Sequence, residues 1–231
     1  MIMSLEEVLQ ALESRGSEQT RKTYRRHGVK GPLYGVSYAD LKKLAKKLKT
    51  NHHLAQALWE SENHDARILA LMIADPHEAT GALLDEWVTS LSDYVVTDAL
   101  AAYISKTPLA REKMEAWTQS PEEWISTVGW NVCTALAMTD QTLPDAYFVP
   151  YISTIERELQ RSKNRTRYAM NNALIAIGLR AALEQQALDA AARIGKVIVD
   201  HGDTNCKTPD VAAYIKKVKE RNADRRTAAL V

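Results

Sequence analysis

Short polar side chains stand repeatedly just ahead of stretches with apolar residues at helical spacing, and this punctuation restricts the chain to many short helices. A side-chain oxygen at the N-cap accepts from an otherwise unbonded amide of the first turn, so each such residue marks a start. Ser4-Leu5-Glu6-Glu7 opens a first helix to about Ser14, Ser17 caps a second to His27, and Ser37 caps a third to about Lys49. Residues 28–36, with Gly31, Pro32 and Gly35, form a loop between the second and the third. Asn51 and Asn63 start two shorter helices, the latter ending at Asp75-Pro76. Another runs from about His77 to Leu91, and Ser92 caps the next, which ends at Lys106. Thr107-Pro108 and Ser120-Pro121-Glu122-Glu123 place Pro at the first helical position, where its missing N–H costs nothing, and the second adds a capping-box Glu. Beyond Asp140, the windows 144–161, 164–183, 185–199 and 209–222 carry helical apolar spacing, as at Leu174, Ile177 and Leu188.

These helices fall into short-linked pairs of roughly 30 to 45 residues, the period of TPR, HEAT or armadillo units. No TPR tryptophan-glycine-tyrosine pattern aligns, and a four-helix bundle needs few long helices instead of many short ones. Ala, Leu, Glu, Lys, Arg and Gln dominate, and with 9 Gly, 7 Pro and the single Phe148 the composition favours helix over sheet. The expected fold is all-α, a HEAT-like helical-repeat superhelix (α-solenoid) of about a dozen short helices, with 1–231 as a single domain. No apolar run approaches the roughly 20 residues that cross a bilayer, and Met1 to Ser4 lead straight into a polar helix. Cys133 and Cys206 stand far apart without CxxC spacing, which points to a cytoplasmic protein with neither a disulfide framework nor a cysteine zinc site.

Charge is segregated beneath a net value of +1. Residues 19–50 hold ten Lys/Arg against the single Asp40, 51–155 hold four against fifteen acids, and 156–231 hold fifteen against nine. Arg21, Lys22, Arg25 and Arg26 form one basic stripe, and Lys42, Lys43, Lys46, Lys47 and Lys49 repeat it on the next helix. Few acids are at hand to pair with them, so these residues can neutralise phosphates as well as face solvent. Between the stripes, Lys30, Tyr34 and the flexible glycines of the loop suit a phosphate backbone or a plain connector. Arg161, Lys163, Arg165, Arg167, Asn171 and Asn172 form a second polar, basic helix start suited to phosphate or base contacts.

Asp98 is the only charge between Asp93 and Lys106, and Tyr94 lies one turn back on the same face. So neutral a helix is expected to be largely buried, with Asp98 bonded to a neighbouring helix or opening onto a cleft. Tryptophans 59, 87, 117, 124 and 130 are read as packing residues. The stretch Asp200 to Lys207 gathers potential ligands but matches no zinc or EF-hand spacing, so no metal and no cofactor is assigned; Thr208-Pro209-Asp210 starts the last helix. A phosphate-binding Gly loop, HExxH and GxSxG are all absent from the sequence.

Taken in order, Tyr24, Lys30-Gly31-Pro32-Leu33-Tyr34-Gly35-Val36, Asp40-Leu41-Lys42-Lys43-Leu44-Ala45, Leu58-Trp59-Glu60 and His64-Asp65-Ala66-Arg67-Ile68-Leu69-Ala70, with Tyr94 and Asp98 four apart, resemble the DNA alkylation repair family of AlkD-like HEAT-repeat DNA glycosylases. The resemblance implies a curl of helical repeats whose basic concave face grips double-stranded DNA, and an acid that assists hydrolysis of the N-glycosidic bond of a cationic alkylpurine. Asp98 is the counterpart of that acid, with Tyr94 beside it. Arg25, Arg26, Lys30, Tyr34, Lys42, Lys43, Lys46, Arg165, Arg167, Asn171 and Asn172 are the DNA-binding candidates of a protein expected to be a monomer. Tyr94 replaces the family's tryptophan before the acid, Cys133 falls where an arginine follows Trp130, and Ala176 falls where a second tryptophan belongs. The stretch from Asp200 to Asp210 resembles a distinct branch of the family. The alternative is a non-catalytic helical-repeat scaffold that binds DNA structures or a protein partner.

Overall fold

The computed structural model describes residues 3–228, and these form thirteen α-helices with four short 3-10 turns and no strand. In chain order the helices are α1 (Leu5–Glu13), α2 (Glu18–Arg26), α3 (Tyr38–Leu48), α4 (His52–Glu60), α5 (His64–Ile73), α6 (Gly81–Thr89), α7 (Tyr94–Ile104), α8 (Ala110–Trp117), α9 (Glu123–Thr139), α10 (Val149–Glu158), α11 (Asn164–Gly178), α12 (Glu184–Ile194) and α13 (Val211–Ala228).

The capping residues account for most of the starts. Ser4 Oγ accepts from the Glu7 amide while the Glu7 carboxylate accepts from the Ser4 amide, and the side chains of Ser17, Ser37, Asn51 and Asn63 cap α2 to α5 by accepting from first-turn amides. Elsewhere the boundaries move. The helix expected from His77 breaks after a 3-10 turn at Pro76–Glu78, and α6 starts afresh where Thr80 Oγ1 accepts from the Leu83 amide. Asp93, not Ser92, caps α7, its carboxylate accepting from the amides of Val95 and Val96. Pro121 lies ahead of α9, because Ser120 Oγ closes a two-residue turn onto the Glu122 amide instead of capping the helix. The helix expected over 185–199 stops at Ile194, where Gly195 turns to φ 73°.

Two compact units emerge, one of the chain up to Lys113 together with Gly202–Thr204, the other of Met114–His201 together with the chain from Asn205. In the first, α5 is central and packs against α3, α4 and α7. Leu41, Leu58, Ile68, Leu69, Leu84 and Leu100 are fully buried there, each contributing about 1.5–3 kcal/mol by its removal from water. Trp59 and Trp87 stack with ring centroids 4.6 Å apart. Their burial, with that of Trp117 and Trp130, agrees with the packing role read from sequence; Trp124 is half-buried.

In the second unit α9 and α11 form the main helix pair, flanked by α10, α12 and α13, around Trp130, Phe148, Leu174 and Ile177. Gly129 permits α9 to approach the end of α8, since a Cβ there would lie 2.6 Å from the Thr118 nitrogen and 2.7 Å from the Trp117 carbonyl carbon. Among the described residues no helix is long and apolar enough to cross a membrane.

Candidate functional site

Exposed cations cover α2, the loop after it, and α3. Lys22, Arg26, Lys30, Lys42, Lys46, Lys47 and Lys49 are exposed and join no ion pair among the described residues. Lys43 is also exposed, but its ammonium lies 2.9 Å from Asp40. That contact and the Ser37 hydroxyl hold the Asp40 carboxyl below its ordinary range. Two arginines of the stripe are tied to the loop backbone instead: Arg21 donates to the Tyr34 carbonyl, and Arg25 to the carbonyls of Val29 and Gly31.

The loop between the stripes is a fixed structure, which corrects the flexibility expected from its glycines. Asp65, fully buried at the start of α5, accepts from three consecutive loop amides, those of Tyr34 at 2.7 Å, Gly35 at 2.9 Å and Val36 at 2.8 Å. The Tyr24 hydroxyl donates to the Val36 carbonyl, and the His64 amide to that of Pro32. Gly35 is required at its position: its φ is +79°, and a Cβ would meet Arg21 and Ser17 within 2.8 Å. Tyr34 is half-buried, and burial, then the charges of Glu13 and Asp65, push its hydroxyl pKa up.

Asp98 is exposed, on a helix of which six of the eleven residues are buried. Val96, Thr97, Leu100, Ala101, Tyr103 and Ile104 take α7 into the core, and the opposite face carries Tyr94, Asp98 and Ala102 at successive turns. Tyr38, at the start of α3, is 40% exposed, and its hydroxyl is pushed up first by burial and then by the negative charges of Asp98 and Asp93. His27 Nδ1 and the Tyr94 hydroxyl share a hydrogen bond, and their rings meet edge to face at 5.8 Å. Thus the ends of α2 and α3 bring His27 and Tyr38 to the Tyr94–Asp98 face. Nothing in the spacing of residues 27, 38 and 94 signals that convergence.

The start of α11 sorts its candidates differently. Arg167 donates to the carbonyls of Ile198, Gln160 and Ser162, and Asn171 is fully buried with its amide nitrogen on the Pro209 carbonyl. Both are thereby engaged with backbone, which corrects their reading as surface contacts. Arg165 and Asn172 remain half-exposed. Cys133 and Ala176, which stand where the resemblance expects an arginine and a tryptophan, are buried, and burial pushes the Cys133 thiol up to about 12. Among the described residues no three His, Cys, Asp or Glu side chains gather to hold a metal ion.

The chain matches the family described as DNA alkylation repair enzyme over residues 8–208. It is 34% identical over 224 residues to an uncharacterised protein of Listeria innocua, covering 94% of this chain and 96% of the relative, and equally so to one of Listeria monocytogenes. It also resembles a solved structure described as "a new family of proteins related to the HEAT-like repeat DNA glycosylases with affinity for branched DNA structures". That likeness has 28% identity, a TM-score of 0.87 and coverage of 95% of each chain. The all-helical HEAT-like architecture expected from the sequence is therefore the fold of this chain.

Proposed function

The chain belongs to the DNA alkylation repair enzyme family, and on that premise we propose that it binds double-stranded DNA, branched forms included, through the cations of α2, α3 and their connecting loop. One observation carries the reading: exposed, unpaired lysines flank a loop that Asp65 holds by three amides. A rigid cationic surface neutralises phosphates and releases their condensed counterions, whereas base identity is left unread. Lys30, Lys42 and Lys46 are the principal contacts, with Arg26 alongside them. The solved relative's affinity for branched DNA supports branched DNA as a ligand here. In this reading the protein acts in the cytoplasm as a monomer. Replacing Lys42 and Lys46 by Gln tests it: affinity for a labelled duplex should fall about tenfold at low salt, each lost phosphate contact costing roughly the same on any sequence. Unchanged affinity contradicts it.

A second reading, hydrolysis of the N-glycosidic bond of a cationic alkylpurine, draws on the exposed Asp98 with Tyr94 and Tyr38 beside it. A cationic base already leaves readily, so a carboxylate near the sugar need only stabilise oxocarbenium character and orient a water. The family resemblance expects an arginine and a tryptophan where this chain has the buried Cys133 and Ala176. Release of alkylbase from methylated duplex, abolished by Asp98→Asn, supports hydrolysis. No release, or equal release by the variant, leaves the protein a binder alone.

A further inference from the structure

Outside the face already described, the second unit carries a cation, an aromatic ring and a carboxamide in line on one helix. Arg165, Tyr168 and Asn172 stand at i, i+3 and i+7 of α11, so they share a face and span about 10 Å along the axis. All three are half-exposed, while Thr166, Ala169, Met170, Ala173 and Leu174 take the opposite side of the helix into the core. The Arg165 guanidinium lies over the Tyr168 ring, 5.1 Å from its centroid.

The surroundings hold this pair in place. His201 meets the Tyr168 ring edge-on at 5.3 Å and 90°, with its Nε2 3.0 Å from the Thr208 hydroxyl. Asn164 exchanges two 2.8 Å hydrogen bonds with the backbone of Asp200, and Arg167 fastens the Ile198 carbonyl. The Arg165 amide donates to Glu123, which anchors the first turn of the helix. A ring and a guanidinium fixed in this way need little further ordering to accept a ligand.

We propose that the Arg165–Tyr168–Asn172 stripe of α11 is a second nucleic-acid contact, one that takes an unpaired base. Planar cations and phenol rings are stacking surfaces for any base, and the Asn172 amide can both donate to and accept from a base edge. Within an intact duplex the base faces are covered by their neighbours; at a fork, flap or strained branch point they are not. Lys163, exposed at the helix start, supplies charge for the adjoining phosphate, and the exposed Asp200 opposes it. The inference rests on the DNA-binding reading above, and it explains the segment around His201 as the support of the Tyr168 ring.

The test uses the full chain and two labelled DNAs of equal length, an intact duplex and a forked duplex with single-stranded arms, the latter carrying 2-aminopurine in an unpaired position. Tyr168→Leu keeps apolar bulk and removes the π-face, so affinity for the fork should fall roughly tenfold with duplex affinity little changed, and Tyr168→Phe should restore it. Binding of the fork by the native chain should also quench the 2-aminopurine, a signal of stacking that holds even if the Leu variant fails to fold. Absence of quenching, or a Leu variant with native circular dichroism that binds the fork as tightly as the native chain or loses both DNAs alike, overturns the inference and leaves the lysine surface intact. Binding of neither DNA by the native chain overturns the DNA reading itself, and this inference with it.

Discussion

Asp93 and His64 meet in the core of the first unit: the Asp93 carboxylate caps α7 and also faces His64 Nδ1 at 3.4 Å, the side chains 8% and 2% exposed. Through this pair the start of α5, which fixes the basic loop, is joined to the start of α7, which carries Tyr94 and Asp98. A shift at either helix start is therefore felt at the other.

Acid should loosen that joint. Burial pushes the Asp93 carboxyl up, but the His64 hydrogen bond and charge, with the amides of Val96 and Val95, bring it below its ordinary value. A carboxyl depressed on folding contributes stability that is full above its unfolded pKa of about 3.9 and is lost as pH falls through the lower folded value. Thermal melts should thus fall as pH drops below about 4, and Asp93→Asn should flatten that acid limb. Asp93→Ala, which strands His64 in the core and removes the cap, should cost about 3 kcal/mol in urea unfolding at pH 7.

Asp65 is the fastening of the basic loop. Asp65→Asn puts an amide N–H group where loop amides need an acceptor, leaving buried donors unmet at a cost of about 2–3 kcal/mol. Hydrogen exchange should then show faster exchange at Tyr34, Gly35 and Val36, and duplex affinity should drop although no cation has changed. Protection equal to the native chain's would contradict this assignment.

Lys49 ends α3 at φ 59° and ψ −164°, a region that suits glycine, and Gly195 ends α12 in a closely similar conformation. Lys49→Gly should therefore stabilise the protein by about 1 kcal/mol in urea unfolding, although glycine elsewhere in an element destabilises. The same change removes one exposed cation and should make DNA binding slightly less sensitive to salt.

Local chemistry was legible in the sequence, and distant chemistry was not. Ser4, Ser17, Ser37, Asn51 and Asn63 could be read as caps because the amides they accept from lie two or three residues away. The break before α6 was hidden because apolar spacing continues across Thr80, and Val197 and Val199 extended the apolar pattern of α12 past the turn at Gly195. The lysine stripes were visible as composition. Their scaffold was not, since Asp65 reaches amides 29 to 31 residues away, and His27 finds Tyr94 only through packing. Arg167 and Asn171 show the converse: polar residues in a basic stretch can be consumed by backbone carbonyls that only the folded chain brings near.

The salt dependence of duplex binding by the native chain tests the central claim most directly. If the lysines of α2, α3 and their loop neutralise phosphates, the logarithm of the association constant should fall linearly with the logarithm of salt concentration. The slope should be steeper than about −3, and less steep by about one for each of Lys30, Lys42 and Lys46 replaced by Gln. A slope near zero, or one that these replacements leave unchanged, would contradict the assignment of this surface to DNA.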